Sequence, residues 1–418
     1  MIVTLPDEKV ENVIIECKKV YNKKYVSLRD LAKIIGILVS VFPAVEQGPL
    51  YYRSLELQKI KGLKTHKGDF NAKVQITDIM KFDLKWWINN VKTQYRTIDY
   101  GDPKLIITTD ASLVGWGAVC EDVKIGGRWS ETETQYHINV LELLAVFYAL
   151  KSFCKNKSNM HIGLRIDNTC AIAHIQNKGG IRSKESNELA VKIWLWCIDR
   201  KIWISANYVP SSENIADLES RRFNENIEWM LNIDIFNKLT KIWGVPDIDL
   251  FATRLNAQVE KYASWKPDPG CEFIDAFSVP WSNSFFYVFS PFSLLGKVVQ
   301  KLRRDRTELC MVIAPIWPTQ CWYTSLLQLL IDKPIILPTT DNLLTIKYTE
   351  KKHPLHGKMT LMACLVSGNV TKVETFLEAQ PALSWSHGEI PLKNNTLHTF
   401  KSGYDTVVKR RLIQFTEL

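Results

Sequence analysis

Between Asp102-Pro103 and Arg221, apolar runs, glycines and acidic residues alternate in an order that few folds satisfy. Leu105-Ile106-Ile107 has the unbroken apolar character of a buried strand, and Gly115 to Cys120 reads as a second. The Gly126-Gly127 pair is expected to turn the chain into a third strand around Arg128-Trp129. Asn139 to Phe153 is helical, with Leu143, Val146, Phe147 and Leu150 on one face. Ile162 to Ile166 is a strand, Thr169 to Gln176 a helix ending at Gly179-Gly180, and Glu185 to Arg200 a long helix. Trp203 to Val209 alternates as a strand, and Glu213 to Arg221 closes as a helix. The order β-β-β-α-β-α-α-β-α predicts an α/β domain, a mixed sheet covered by helices.

Four carboxylates punctuate this pattern where elements begin or end. Asp110 follows the first strand, Glu142 lies near the start of the first helix, Asp167 ends the fourth strand, and Asp217 sits in the last helix. Taken singly, an Asp after a strand is a turn former or cap, and a Glu early in a helix is a dipole partner. Brought together, carboxylates repel and raise one another's pKa unless a cation shares them. Hard oxygen ligands favour Mg²⁺ or Mn²⁺. Ser211 and Ser212 have no histidine in their block and read as caps; His137 and His174 read as packing or surface residues. Trp194, Trp196 and Trp203 fit a helix–sheet core.

At 418 residues the chain has room for several domains. Residues 1–100 read as short helices with basic loops. A Ser27-capped helix starts at Leu28, a second near Tyr51, and a third carries Leu84, Trp86, Trp87 and Ile88. Lys59, Lys61, Lys64 and Lys67 are either a solvated face or phosphate contacts. From 224 to 343, strands near Asp249, Phe285 to Phe289 and Met311 to Ala314 alternate with helices, which predicts a second, parallel α/β sheet. Residues 344–418 are expected to be a basic linker or tail. A net charge of +9 permits nucleic-acid binding. The nine cysteines form no CxxC pair, and no leader or membrane-spanning stretch precedes or separates them. Reduced thiols in an intracellular protein, nuclear or cytoplasmic, are the expectation.

The strings TDASLVGWGA, GGRWSETETQYHINVLELLAV, LRIDNTCAIAHIQ and VPSSENIADLESR resemble, in order and spacing, the ribonuclease H domain of retroelement reverse transcriptases. The Gly127-Arg128-Trp129-Ser130 and Ile138-Asn139 to Glu142 blocks are closest to DIRS-type, tyrosine-recombinase retrotransposons. The resemblance implies a ribonuclease H-like five-stranded mixed sheet over 103–223 that cuts the RNA strand of RNA–DNA hybrids. It implies Asp110, Glu142, Asp167 and Asp217 as catalytic residues holding two Mg²⁺ or Mn²⁺ ions, with Asn139 as a minor-groove contact.

SLRDLAKIIGILVS, AVEQGPLYYRSLE and Trp86-Trp87 resemble the thumb/connection segment that precedes this domain in such elements. No Tyr-x-Asp-Asp occurs, so the expected partner is a polymerase part of the same element, encoded outside this chain. DIDLFATRLNAQ, YVFSPFSLL and MVIAPIWPTQCWY resemble a phage-type DNA adenine methyltransferase module. That implies S-adenosylmethionine as a cofactor near Asp249, which reads equally as a strand-end cap. Phe289-Ser290-Pro291-Phe292 departs from the Asn/Asp-Pro-Pro-aromatic motif of such enzymes, which sets an inert retained fold against methyl transfer. LVSGN and VVKRRLIQF resemble the linker toward a recombinase; the basic residues Lys409, Arg410 and Arg411 beside Tyr404 read as surface.

Overall fold

The computed structural model describes residues 1–223, 228–347, 351–382 and 404–418, in two compact units, Met1–Arg222 and Phe223–Leu418. The first hundred residues fold as β1 (Ile2–Thr4), α1 (Asp7–Tyr21), β2 (Tyr25–Ser27), α2 (Leu28–Ser40), α3 (Arg53–Thr65), β3 (Lys73–Gln75), α4 (Asp78–Asn90) and β4 (Tyr95–Thr97). Ser27 Oγ accepts the Asp30 amide at 3.1 Å and starts α2, as the capping signal predicts. That helix buries Leu28, Leu31, Ile34, Ile35 and Leu38. The helix carrying the tryptophans is α4, where the Trp87 indole donates to Tyr51 O at 2.8 Å. Helix α1, which no single motif announces, buries Val10, Val13, Cys17 and Val20 at helical spacing.

The same unit continues as β5 (Leu105–Ala111), β6 (Gly115–Cys120), β7 (Val123–Arg128), α5 (Ile138–Cys154), β8 (Met160–Ile166), α6 (Thr169–Gln176), α7 (Lys184–Asp199), β9 (Ile202–Tyr208) and α8 (Asp217–Arg221). The sheet order is β7-β6-β5-β8-β9. Pairings β5–β6 and β6–β7 are antiparallel, while β5–β8 and β8–β9 are parallel. This is the expected mixed sheet with flanking helices.

Two local expectations fail, for related reasons. Gly126-Gly127 is not a turn but lies inside β7. A Cβ on Gly126 would stand 2.4 Å from Glu219 O, and one on Gly117 2.5 Å from Ala216 O and Ser220 N. These glycines let α8 lie directly on the backbone of the sheet. The helix expected over 213–221 is split into a 3₁₀ turn at Ser211–Glu213 and the short α8. Asn214 is the cause: its Oδ1 accepts the Ala216 amide at 3.1 Å, a local bond that competes with helix.

The helical segment and the sheet share one apolar core. Tyr100 stacks on Trp203 at 4.1 Å and 3°, and the Lys178 ammonium packs against the rings of Trp194 and Trp203 at 4.3 and 4.5 Å. Arg53 reaches the Asn177 carbonyl at 3.4 Å. The tryptophans of this region therefore serve packing.

The second unit comprises β10 (Met230–Leu231), α9 (Ile233–Trp243), β11 (Ile248–Asp249), β12 (Lys261–Ser264), β13 (Phe273–Ile274), β14 (Phe285–Val288), α10 (Leu295–Arg304), β15 (Leu309–Pro315), α11 (Cys321–Leu327), β16 (Ile335–Ile336), β17 (Leu344–Thr345), β18 (Leu361–Val366), α12 (Val370–Glu378), β19 (Thr406–Val408), β20 (Arg411–Ile413) and β21 (Thr416–Glu417). Its main sheet runs β13-β12-β11-β14-β15-β18-β16-β21. Strands β11 to β15 are mutually parallel, and β18 is antiparallel between β15 and β16. From β11 the chain steps outward to β12 and β13, then returns to the other side with β14, so strand order reverses between β11 and β14. Residues 344–418, expected as a basic tail, instead supply β18, in which every residue is buried. Its apolar run Leu361 to Val366 completes the sheet. No described helix is long and apolar enough to cross a membrane.

Candidate active site

Strand β5 delivers Asp110 one residue before its end, β8 is followed directly by Asp167, and α5 carries Glu142 one turn inside its start. His137 caps that helix, its Nδ1 accepting the Asn139 amide at 3.2 Å. One oxygen from each of Asp110, Glu142 and Asp167 lies within 4.8 Å of the others. Asp110 and Glu142 are 3% and 4% exposed, so these charges sit against protein, not water. Asp110 Oδ2 and Glu142 Oε2 are buried without a hydrogen-bond partner.

Burial pushes the Glu142 carboxyl up to about 9, with the charges of Asp167 and Asp110 adding to it and the Ala111 amide opposing it. Burial likewise raises Asp110 to about 6; the nearby Ser220 opposes this, and the charges of Asp167 and Asp217 add to it. Asp217 is therefore felt electrostatically by Asp110, but it is not in the close triad. Its carboxylate is 40% exposed and bound to Arg221 at 2.9 Å. Of the four expected acidic ligands the structure brings three together and leaves the fourth at the rim. Asn139 is half-buried at the first turn of α5, its Oδ1 accepting Asn168 Nδ2 at 3.0 Å.

Sequence reasoning missed the loop that orders these carboxylates. Asn214, 6% exposed, donates from Nδ2 to Asp110 Oδ1 at 3.2 Å and to Thr109 O at 3.1 Å. Ser211, read from sequence as a helix cap, donates from Oγ to Asp167 Oδ2 at 2.8 Å. The available signal was an Asn three residues before Asp217 in a Pro/Ser turn, which by itself reads only as turn chemistry. A divalent cation suits the donor set: three hard carboxylates converge, two of their oxygens lack any proton donor, and Arg221 is engaged by Asp217.

These features define an α/β unit of ribonuclease H-like architecture with an acidic cluster at the carboxyl ends of its central strands. In sequence, the chain is similar to the enzymatic polyprotein of cauliflower mosaic virus (strain Strasbourg), 27% identical over 207 residues, 41% of this chain and 29% of the viral protein. The enzymatic polyprotein of carnation etched ring virus is 26% identical over 140 residues, 27% of this chain and 21% of that one. The chain thus spans less than a third of the length of these relatives. No family model matches it. Among solved structures, ribonuclease H1 from the archaeon Halobacterium salinarum NRC-1 is 19% identical and covers 28% of this chain and 92% of its own, with a TM-score of 0.23. LC11 ribonuclease H1 in complex with an RNA/DNA hybrid is 20% identical over 28% of this chain and 93% of its own, TM-score 0.24. The foamy viral protease-reverse transcriptase in complex with an RNA/DNA hybrid is 12% identical over 55% of this chain and 31% of its own, TM-score 0.20. Scores this low carry no weight alone; the architecture stands on the sheet order and pairing described above.

In the second unit a cavity of about 710 Å³ opens at the carboxyl ends of β11 to β14, where strand order reverses. Such switch points are where open α/β sheets bind ligands. Asp249 does not line it. It is 2% exposed, its carboxylate accepts the Phe251 and Gln258 amides at 3.2 and 3.1 Å, and burial raises it to about 7. Nor do the turns after β11 and β12 carry the usual nucleoside-binding signature. The turn after β11 is Leu250-Phe251-Ala252-Thr253, with no glycine to admit a close backbone approach, and Ser264-Trp265-Lys266 at the end of β12 offers no carboxylate for a ribose. Asp275 is the carboxylate on the lining, and its Oδ1 accepts the Phe277 amide in the turn at Ala276–Ser278. The expected role of Asp249 in binding S-adenosylmethionine is thus replaced by a structural one.

Proposed function

We propose that residues 103–222 cut the RNA strand of RNA–DNA hybrids, in a retroelement product of the DIRS-type lineage whose polymerase lies on another segment or chain. The observation that carries this reading is the buried Asp110–Glu142–Asp167 cluster with two unpartnered oxygens, in a ribonuclease H-like sheet. Two Mg²⁺ or Mn²⁺ ions held by these three residues, with Asp217 at the rim, would supply charge neutralisation and an activated water for attack on the scissile phosphate. The chain's own residues do the rest. Asn214 holds Asp110 Oδ1 and turns Oδ2 loose for ligation, Ser211 holds Asp167 Oδ2, and the Ala111 amide favours ionised Glu142. Asn139 and Asn168 present paired amides beside Asp167, suited to the minor-groove edge and 2′-hydroxyl of the RNA. Residues 1–100, sharing the core, serve as a connection-like arm for the same hybrid.

The test is cleavage of an end-labelled RNA–DNA hybrid by the purified chain with Mg²⁺. The RNA strand is expected to be cut and the DNA strand spared, with cleavage falling to background in Asp110→Asn and Asp167→Asn. Salt-dependent hybrid binding with wild type as inert as the variants would make the chain a binding remnant and defeat the proposal.

A further inference from the structure

One face of the first unit's sheet carries a polar feature that the acidic cluster leaves unused. Side chains alternate along a strand, so Thr108 and Asp110 share a face of β5, and Arg165 of β8 shares it with Asp167 just beyond the strand end. Register ties these rows together, with Thr108 opposite Arg165 and Arg165 opposite Asn207 of β9. At Gly163 and His161 the face is covered. Pro103 stands 3.2 Å from where a Gly163 Cβ would be, and His161 bonds Gly101 O at 2.7 Å and Ser205 Oγ at 2.8 Å. Between that cover and the carboxylates, Arg165 and Asn207 are exposed. Arg165 lies two residues, about 7 Å of strand, from Asp167. Among the described residues no carboxylate pairs with its guanidinium, whereas Arg221, close to the same cluster, is bound by Asp217.

We infer that Arg165, flanked by Asn207, grips a backbone phosphate next to the scissile one on the RNA strand. The inference rests on the hybrid-cleaving reading of the acidic cluster and adds to it a residue that positions the strand. A strand laid across Asp110 and Asp167 brings a neighbouring phosphate over this face, where the planar guanidinium fork matches two of its oxygens. The Asn207 amide stands beside the fork as a further donor. Arg165 pairs with none of the cation-holding carboxylates, so its loss leaves the cation site intact and weakens the hold on the strand.

The experiment measures binding of a labelled RNA–DNA hybrid to the full chain in EDTA, by anisotropy over a salt series, and then steady-state cleavage in Mg²⁺. Arg165→Ala, at an exposed position, is expected to melt as wild type does. It should weaken binding roughly tenfold, as loss of a hydrogen bond to a charged group does. It should also lower the slope of log K against log salt by about one, the signature of a lost phosphate contact. Arg165→Lys keeps the charge but not the fork, so the slope is retained and part of the affinity returns. In cleavage, KM is expected to rise in Arg165→Ala while kcat stays near the wild-type value. Lys157→Ala, in the exposed loop before β8 at the far end of that strand, is expected to change neither affinity nor slope. Affinity and slope unchanged in Arg165→Ala, or lowered equally in Lys157→Ala, overturn the inference. So does a fall in kcat with KM unchanged, which would place Arg165 in the chemistry. Arg165-dependent binding without any cleavage upholds the phosphate grip and defeats the hybrid-cleaving reading instead.

Discussion

Both units place a candidate site at the carboxyl ends of parallel strands, and the two sites are chemically opposite. In the first, side chains at the ends of β5 and β8 and on α5 are carboxylates, and the unsatisfied atoms are acidic oxygens. In the second, the ends of β11 to β14 carry rings, and the unsatisfied atom is a hydroxyl. The same kind of sheet edge thus presents carboxylate oxygens in one case and aromatic rings in the other. Position in an α/β fold marks where a ligand goes; the residues there decide which ligand.

The contrast is broken most severely at Gly117. A Cβ there would press on Ala216 O and Ser220 N, lifting α8 and the Asn214 loop from the sheet. Gly117→Val is expected to cost about 1–3 kcal/mol of stability, read from denaturant unfolding. Hybrid cleavage should fall by about 10²-fold, as displacement of the reacting groups by an ångström typically produces. The second unit, built on its own apolar core, is expected to keep its fold. A milder change sharpens the same contrast. Asn214→Ala frees Asp110 Oδ1 from its donor, and the Mg²⁺ concentration for half-maximal cleavage is expected to rise roughly tenfold. A metal titration of cleavage rates reads this directly, and an unchanged midpoint would limit Asn214 to shaping the turn.

Much of the first unit was legible in the sequence. Strand β6 and helix α6 start and stop where glycines, caps and apolar runs place them, because those signals act within a few residues. What escaped was set by contacts distant in sequence. Gly126-Gly127 looks like a turn until α8 is known to lie on it. Asn214 looks like turn chemistry until β5, about a hundred residues earlier, brings Asp110 within 3.2 Å. Strand β18 is a short apolar run whose place between β15 and β16 depends on pairing across 50 residues of chain in the case of β15. Asp249 takes the cap role the sequence also allowed, accepting amides two and nine residues downstream. Of the acidic four, Asp217 was expected inside the cluster but lies outside the close triad, 40% exposed and paired with Arg221.

The central claim is that Asp110, Glu142 and Asp167 are arranged for a shared cation, and thermal melting against pH, with and without Mg²⁺, tests it most directly. Without metal, folded Asp110 and Glu142 keep protons up to about pH 6 and 9, whereas the unfolded chain releases them near the ordinary carboxylate range. The unfolded state is therefore favoured as pH rises through that window, and stability in EDTA should fall from about pH 5 to 9. Buried Asp83 and Asp249, raised to about 6 and 7, add to the slope but are not part of the metal cluster. The difference between the Mg²⁺ and EDTA curves isolates the cluster. It is predicted to grow with pH in the wild type and to vanish in Asp110→Asn combined with Glu142→Gln. Superimposable curves with and without Mg²⁺ at every pH would contradict the account.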